Sequence, residues 1–274
     1  MKIYGCQFTI QWEAPEANFQ TVTDLLKSAD VKPDSLIVLP EMFATGFSMN
    51  VAKIADNSLT TPFLAETAKR YHSWVIGGHV AKANDGRGLN QAFVLAPSGE
   101  QAGVYTKIHP FSFSGENKSY APGSSIQLFD AGPFRICPLI CYDLRFPEIF
   151  RTATQDGANV FAVIANWPKP RTAHWLTLLQ ARAIENQAYV IGINRTGEDP
   201  KLHYPGCSII VSPQGEVMAE GGSVPGLVTA DIDLESLTTW RTQFPALQDM
   251  RQPFVPHNST EAESRAIAPQ VEPE

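Results

Sequence analysis

The sequence predicts an α/β fold, and three observations carry the prediction. Short β-branched runs alternate with segments of helical period along most of the chain. Two turn-forming stretches, Ala96-Pro97-Ser98-Gly99-Glu100 and Pro213-Gln214-Gly215, each separate neighbouring β-like runs, so the sheet content is mixed and not purely parallel. The apolar run Phe134-Arg135-Ile136-Cys137-Pro138-Leu139-Ile140 leads into Phe146-Pro147-Glu148-Ile149-Phe150, which reads as the first turn of a helix with proline near its start. A strand-to-helix junction therefore falls at Cys141, at the carboxyl end of a strand, where open α/β sheets place their sites.

In chain order, strands are predicted over 3–10, 35–39, 74–80, 90–95 and 101–107, with helices over 18–29 and 63–72. After the strand at 134–140 come a helix over 147–155, a strand over 160–165, a helix over 173–186 and a strand over 189–194. Runs at 207–211, 217–219 and 227–232 complete the strand set. No linker divides these units, so 1–252 is read as one domain; 253–274, polar and rich in Ser, Glu and Pro, is read as a loose tail.

Composition narrows the function. With 274 residues, 43% of them hydrophobic, the chain can bury a substantial core. Its net charge of −7, without a cluster of Lys or Arg, speaks against a nucleic-acid surface. The four cysteines (Cys6, Cys137, Cys141, Cys207) lack CxxC spacing, which argues against a disulfide scaffold and a structural zinc site and fits a reducing cytoplasm. The N-terminus lacks a signal peptide's apolar core, and no window approaches a membrane span. No Gly-rich phosphate loop follows a strand and no HExxH spacing occurs, so neither cofactor nor metal is expected.

Three residues form the candidate site. Glu41 follows Leu36-Ile37-Val38-Leu39-Pro40, Lys107 follows Val104-Tyr105-Thr106, and Cys141 follows its own apolar run. Each is expected to project from a strand end towards one rim. A thiol with an ordinary pKa of ~8.5 is mostly protonated at neutral pH and needs a base or a nearby cation. Glu41 suits the first task and Lys107 the stabilisation of negative charge.

Leu39-Pro40-Glu41-Met42-Phe43, Tyr105-Thr106-Lys107-Ile108-His109 and Leu139 to Glu148 resemble, in this order, the three signature segments of the nitrilase superfamily of carbon–nitrogen hydrolases. Within it, the segments Glu41 to Met49 and Asn166-Trp167-Pro168 through Trp175 are most similar to the bacterial omega-amidase branch, relatives of the Nit2-type enzymes. The resemblance implies a four-layer α-β-β-α sandwich of two mixed sheets and a homodimer. It implies that Cys141 attacks an amide carbon, that Lys107 and the backbone N–H of Tyr142 hold the oxyanion, and that Glu41 moves the protons. Glu116 falls where the family often has a second glutamate, Phe43 and Trp167 where side chains line the pocket. The implied substrates are small 2-oxo acid ω-amides such as 2-oxoglutaramate and 2-oxosuccinamate, with Arg171 facing their carboxylate. Nitrilases, carbamoylases and aliphatic amidases share the same three residues, and the competing class is a binding protein on the same fold.

Bland readings win elsewhere. Asp143, Arg145 and Glu148 are expected as caps and ion pairs beside the nucleophile's helix. His109 and His174 lack the local signature of a papain-like Cys–His pair.

Overall fold

A computed structural model describes residues 1–55 and 57–251. The expected tail at 253–274 lies outside the described residues. The first half contains β1 (Lys2–Gln7), α1 (Pro15–Lys27), β2 (Leu36–Val38), α2 (Val51–Ile54), α3 (Asn57–Tyr71), β3 (Trp74–Lys82), β4 (Gly88–Leu95), β5 (Gln101–Thr106) and α4 (Glu116–Ser119). The second contains β6 (Phe129–Ala131), β7 (Phe134–Ile140), α5 (Pro147–Gln155), β8 (Val160–Ala165), α6 (Thr172–Asn186) and β9 (Tyr189–Asn194). Then follow β10 (Thr196–Glu198), β11 (His203–Pro205), β12 (Ile209–Val211), β13 (Val217–Glu220), β14 (Gly226–Asp231) and α7 (Leu234–Gln243).

Two six-stranded sheets result, ordered β14-β1-β2-β3-β4-β5 and β13-β12-β9-β8-β7-β6. Both are mixed: β1, β2 and β3 run parallel in the first, β7, β8 and β9 in the second, and the remaining neighbours are antiparallel. The turns at 96–100 and 213–215 join the antiparallel pairs β4–β5 and β12–β13, as their Pro and Gly content predicts.

The layering explains why β2 reads as an unbroken apolar run. Leu36 and Val38 belong to the core cluster that also holds the second sheet, whereas Ile37 and Leu39 pack with Val22 and Leu26 of α1 and Leu64 and Ala68 of α3. A strand buried on both faces needs apolar residues at every position. On the other side, α6 lies on β9 and β12 and packs beside α5. The order is thus helices, sheet, sheet, helices. Where the sheets meet, a Cβ on Gly5 would fall 2.2 Å from Cδ1 of Ile193, so β1 and β9 approach as closely as they do only because position 5 has no side chain.

Six elements lack a sequence prediction: the four-residue helices α2 and α4, the strands β6, β10 and β11, and helix α7. Helix α7 is capped by the Asp233 carboxylate, which accepts from the Ser236 N–H at 2.7 Å; an aspartate three residues before a serine, with Glu235 in the first turn, was the available signal. The hairpin β10–β11 and the short β6 are three-residue strands, too brief for a periodic pattern to show. The expected strand at 207–211 begins only at Ile209, because Cys207 adopts φ +55 and leaves the extended region.

Candidate active site

Glu41, Lys107 and Cys141 sit just beyond β2, β5 and β7, and the two sheets bring them together. Glu41 follows a turn in which Gly78 of β3 passes directly beneath it: a Cβ there would lie 2.2 Å from the Met42 nitrogen and 2.6 Å from the Glu41 Cα. Only glycine permits that approach. Lys107 is pinned through its backbone, its N–H donating to the Asn90 carbonyl at 2.9 Å and its carbonyl accepting from Gly123 at 2.8 Å. Cys141 opens a 3₁₀ turn over Cys141–Arg145 and takes φ +47, a left-handed conformation that costs a non-glycine residue about 1–3 kcal/mol and needs support from its surroundings.

That support is Asp143. Its buried carboxylate accepts from Ile140 N at 3.1 Å, His109 N at 3.0 Å, His109 Nδ1 at 2.8 Å and the Tyr105 hydroxyl at 2.7 Å. The turn carrying Cys141 is thereby tied to the end of β5 that carries Lys107. His109 is consumed in this brace and stacks on Phe146, 3.7 Å between ring centroids, so it does not serve the thiol.

The charged centre is fully buried. Lys107 Nζ donates to Glu41 Oε1 at 2.9 Å and to both Glu116 oxygens at 3.1 and 2.9 Å. Asn90 Nδ2 bridges the two acids, 2.7 Å from Glu41 Oε1 and 2.9 Å from Glu116 Oε1. Asn166 holds the other side of Glu41, its N–H donating to Oε2 at 2.8 Å and its Nδ2 to the Glu41 carbonyl at 2.7 Å. Asn90 and Asn166 were missed by sequence reasoning; a polar residue inside an apolar strand and an asparagine just after one were their only local signals.

Electrostatics follow from burial and sharing. Burial alone would push the Lys107 ammonium down, but the Glu116 and Glu41 carboxylates together hold it well above the usual lysine value. Burial, and then the Glu41 charge, raise the Glu116 carboxyl despite Lys107. Burial first, and then the Glu41 carboxylate, hold the Cys141 thiol well above its ordinary value, with Lys107 opposing them. Burial beside the Glu41 charge thus makes the Cys141 thiol resist ionisation.

The centre opens into a cavity of about 430 Å³ whose floor includes Lys107, Cys141, Tyr142 and Asn166 and whose walls include Trp167, Phe111 and Arg171. The Tyr142 N–H lies in the first turn of the 3₁₀ segment, where N–H groups have no intrahelical partner and point outward. Trp167 and Arg171 both line this cavity. Phe43 does not: it is 0% exposed and packs in the helix-side core with Phe19 and Phe63, because the turn at Met42, φ +44, sends it away from the cavity. Arg145 is the converse case. Expected as a helix-side ion pair, it lines the cavity instead, with its guanidinium 5.0 Å from the Trp167 ring centroid and 5.9 Å from that of Tyr142. Its Nη2 donates to His174 Nδ1 at 3.1 Å, and among the described residues no carboxylate pairs with it. Also among the described residues, no group of three His, Cys, Asp or Glu side chains is placed to hold a metal ion, and no helix is long and apolar enough to cross a membrane.

Comparison with known proteins identifies the family. Residues 5–242 match the carbon-nitrogen hydrolase family model. The chain is 35% identical to the 2-oxoglutaramate amidase of Bacillus subtilis (strain 168), covering 90% of this chain and 96% of that one. It is 37% identical to the omega-amidase YafV of Yersinia enterocolitica, covering 91% and 96%. Among solved structures it is similar to XC1258 of Xanthomonas campestris, a CN-hydrolase superfamily protein with an arsenic adduct in its active site: TM-score 0.86, 31% identity, covering 94% of this chain and 99% of that one. On the family match, the near full-length relatives and the shared two-sheet sandwich, the chain belongs to the carbon-nitrogen hydrolase family.

Proposed function

We propose that the protein is an omega-amidase, hydrolysing the ω-amide of 2-oxo dicarboxylic acid monoamides such as 2-oxoglutaramate and 2-oxosuccinamate to the dicarboxylate and ammonia. The observation that carries this reading is a buried ammonium, Lys107, clamped by Glu41 and Glu116 at the floor of a cavity that also holds Cys141 and two arginines without carboxylate partners among the described residues. Relatives named omega-amidase or 2-oxoglutaramate amidase, at 35 and 37% identity over nearly the full chain, point the same way.

In the proposed mechanism Glu41 accepts the Cys141 proton as Sγ attacks the amide carbon. The carbonyl π pair moves to oxygen, and Lys107 Nζ and the Tyr142 N–H stabilise that oxyanion. Coupling the two events suits a thiol whose environment resists ionisation. Glu41 returns the proton to the nitrogen, the C–N bond breaks, and ammonia leaves a thioester. A water then loses its proton to Glu41 as it attacks the thioester carbon, and collapse of the second tetrahedral intermediate releases the acid and restores the thiol. Glu116 orients Lys107 throughout. The substrate carboxylate is met by Arg171 and Arg145, while Trp167 supplies an apolar wall on which Arg145 itself rests.

Ammonia release from 2-oxoglutaramate, measured beside glutamine, a short aliphatic amide and a nitrile, tests the reading with Cys141→Ala as control. Turnover of the 2-oxo acid amide that disappears in the variant is the expected result. Preference for the aliphatic amide or the nitrile sinks the branch assignment and leaves the chemistry standing; turnover of none favours a binding protein.

The protein is further proposed to act in the cytoplasm as a homodimer. Four unpaired cysteines support the first. For the second, Ile184 on α6 and Phe244 beyond α7, each 55% exposed, lie on adjoining elements linked by the Gln187 to Phe244 hydrogen bond. Light scattering that returns a monomer mass overturns it.

A further inference from the structure

The hairpin β10–β11 belongs to neither large sheet, yet its turn supplies Asp199, Pro200, Lys201 and Leu202 to the cavity wall. It packs beside the 3₁₀ turn Lys169–Arg171 and so adjoins the turn bearing Arg171. The hairpin's construction is unusual in what it buries. Arg195 is 0% exposed and has no carboxylate partner among the described residues. Its guanidinium instead donates to three carbonyls: Thr196 at 3.1 Å, Ile10 at 2.8 Å and Glu198 at 2.9 Å. The guanidinium carbon sits 4.5 Å from the Tyr204 ring centroid. Burying a guanidinium without a counter-ion is costly unless hydrogen bonds and a ring face compensate.

The contacts continue from this post to the tip of the hairpin. The Tyr204 hydroxyl donates to Asp199 Oδ2 at 2.5 Å, and Asp199 Oδ1 accepts from Lys201 N at 2.7 Å and Leu202 N at 2.8 Å. Both Asp199 oxygens are therefore engaged in shaping the turn. The Lys201 ammonium has no carboxylate partner among the described residues.

Resting on the reading of the pocket as one for acidic amides, we propose that Lys201 is a specificity-determining residue. It supplies a further cation, beside Arg171, to the anionic end of the substrate, and Arg195 is the positioning residue that holds it there through Tyr204 and Asp199. A planar, always-charged fork is needed at 195 because it must reach three carbonyls while lying flat on a ring.

The test uses the full chain and does not depend on turnover: protection of Cys141 from iodoacetamide by 2-oxoglutarate, a dicarboxylate without an amide, compared with protection by butyramide. In Lys201→Ala the 2-oxoglutarate concentration giving half protection rises about fivefold relative to that for butyramide, the size of one partly exposed ion pair. Arg195→Met produces a similar rise alone and adds less than twofold in the Lys201→Ala background, since both act through one contact. Should Arg195→Met not fold, Tyr204→Phe, which frees Asp199, takes its place in the same cycle. Equal shifts for both ligands, or fully additive effects, overturn the proposal. If 2-oxoglutarate protects the wild type no better than butyramide, the acidic-substrate reading fails and this proposal with it; protection that Lys201→Ala leaves intact removes this proposal alone.

Discussion

Replacing Glu116 by glutamine separates a catalytic role from a merely buried one. Glu116 accepts Lys107 at 3.1 and 2.9 Å, Asn90 at 2.9 Å and the Phe111 N–H. A glutamine keeps one oxygen, so it forfeits at least one charge-assisted bond to the ammonium, and its amide N–H₂ would face Lys107 or Phe111 N–H as a second donor. A hydrogen bond to a charged group contributes about 1.5–3 kcal/mol. If that loss falls on the placement of the oxyanion donor, kcat drops roughly 10- to 150-fold. Thiol reactivity moves the other way. Glu116 is one of the negative charges that hold the Cys141 thiol up, so its neutralisation brings the thiol closer to ionisation and speeds alkylation by iodoacetamide at pH 7. Stability provides a third readout. A carboxyl whose folded pKa is raised contributes fully below the ordinary value of 4.5 and loses that contribution as pH rises through the folded value, so the variant should lack this decline. Steady-state kinetics, alkylation rates and urea unfolding against pH make the comparison. A kcat within twofold of wild type, together with unchanged alkylation, would refute the role given to Glu116.

Four other substitutions are informative. Arg145→Ala and Arg171→Ala should each raise KM for 2-oxoglutaramate about tenfold, the worth of one charged hydrogen bond, with a much smaller change for a neutral short amide; equal changes for both substrates remove the residue from carboxylate recognition. Phe43→Ala should destabilise the fold by about 3–5 kcal/mol while leaving KM near wild type, as a core ring and not a pocket ring would; a raised KM at unchanged stability contradicts this. His79, buried with both ring nitrogens lacking partners among the described residues and its ring 4.6 Å from Phe93, is pushed by burial from 6.5 to about 4. A depressed histidine stabilises above its unfolded pKa and loses that contribution as pH falls, so the wild type should lose about 2–3 kcal/mol between pH 7 and 4.5 through this group, and His79→Phe should lack that loss in urea titrations.

The strands and the three central residues were legible because each left a local mark. β2, β8 and the part of β7 from Ile136 on are buried on both faces and so read as apolar runs; Glu41 and Cys141 follow two of these, and Lys107 follows the β-like Val104-Tyr105-Thr106 at the end of β5. The turns at 96–100 and 213–215 announced the antiparallel pairs through residues that turns require. What the sequence did not determine was direction. Phe43 lies two residues beyond Glu41 and Arg145 four beyond Cys141, yet the first turns into the core and the second into the cavity. Left-handed residues at Met42 and Cys141 redirect the chain at both places, and nothing in the local pattern encodes a positive φ at a methionine or a cysteine. Asn90 and Arg195 were illegible for a related reason. Their partners, Glu41 and Glu116 for one and Ile10 and Tyr204 for the other, are brought close only by the packing of the sheets and the docking of a hairpin. Local periodicity reports which face of a strand is buried; which polar groups then meet across that buried space is settled by the tertiary fold alone.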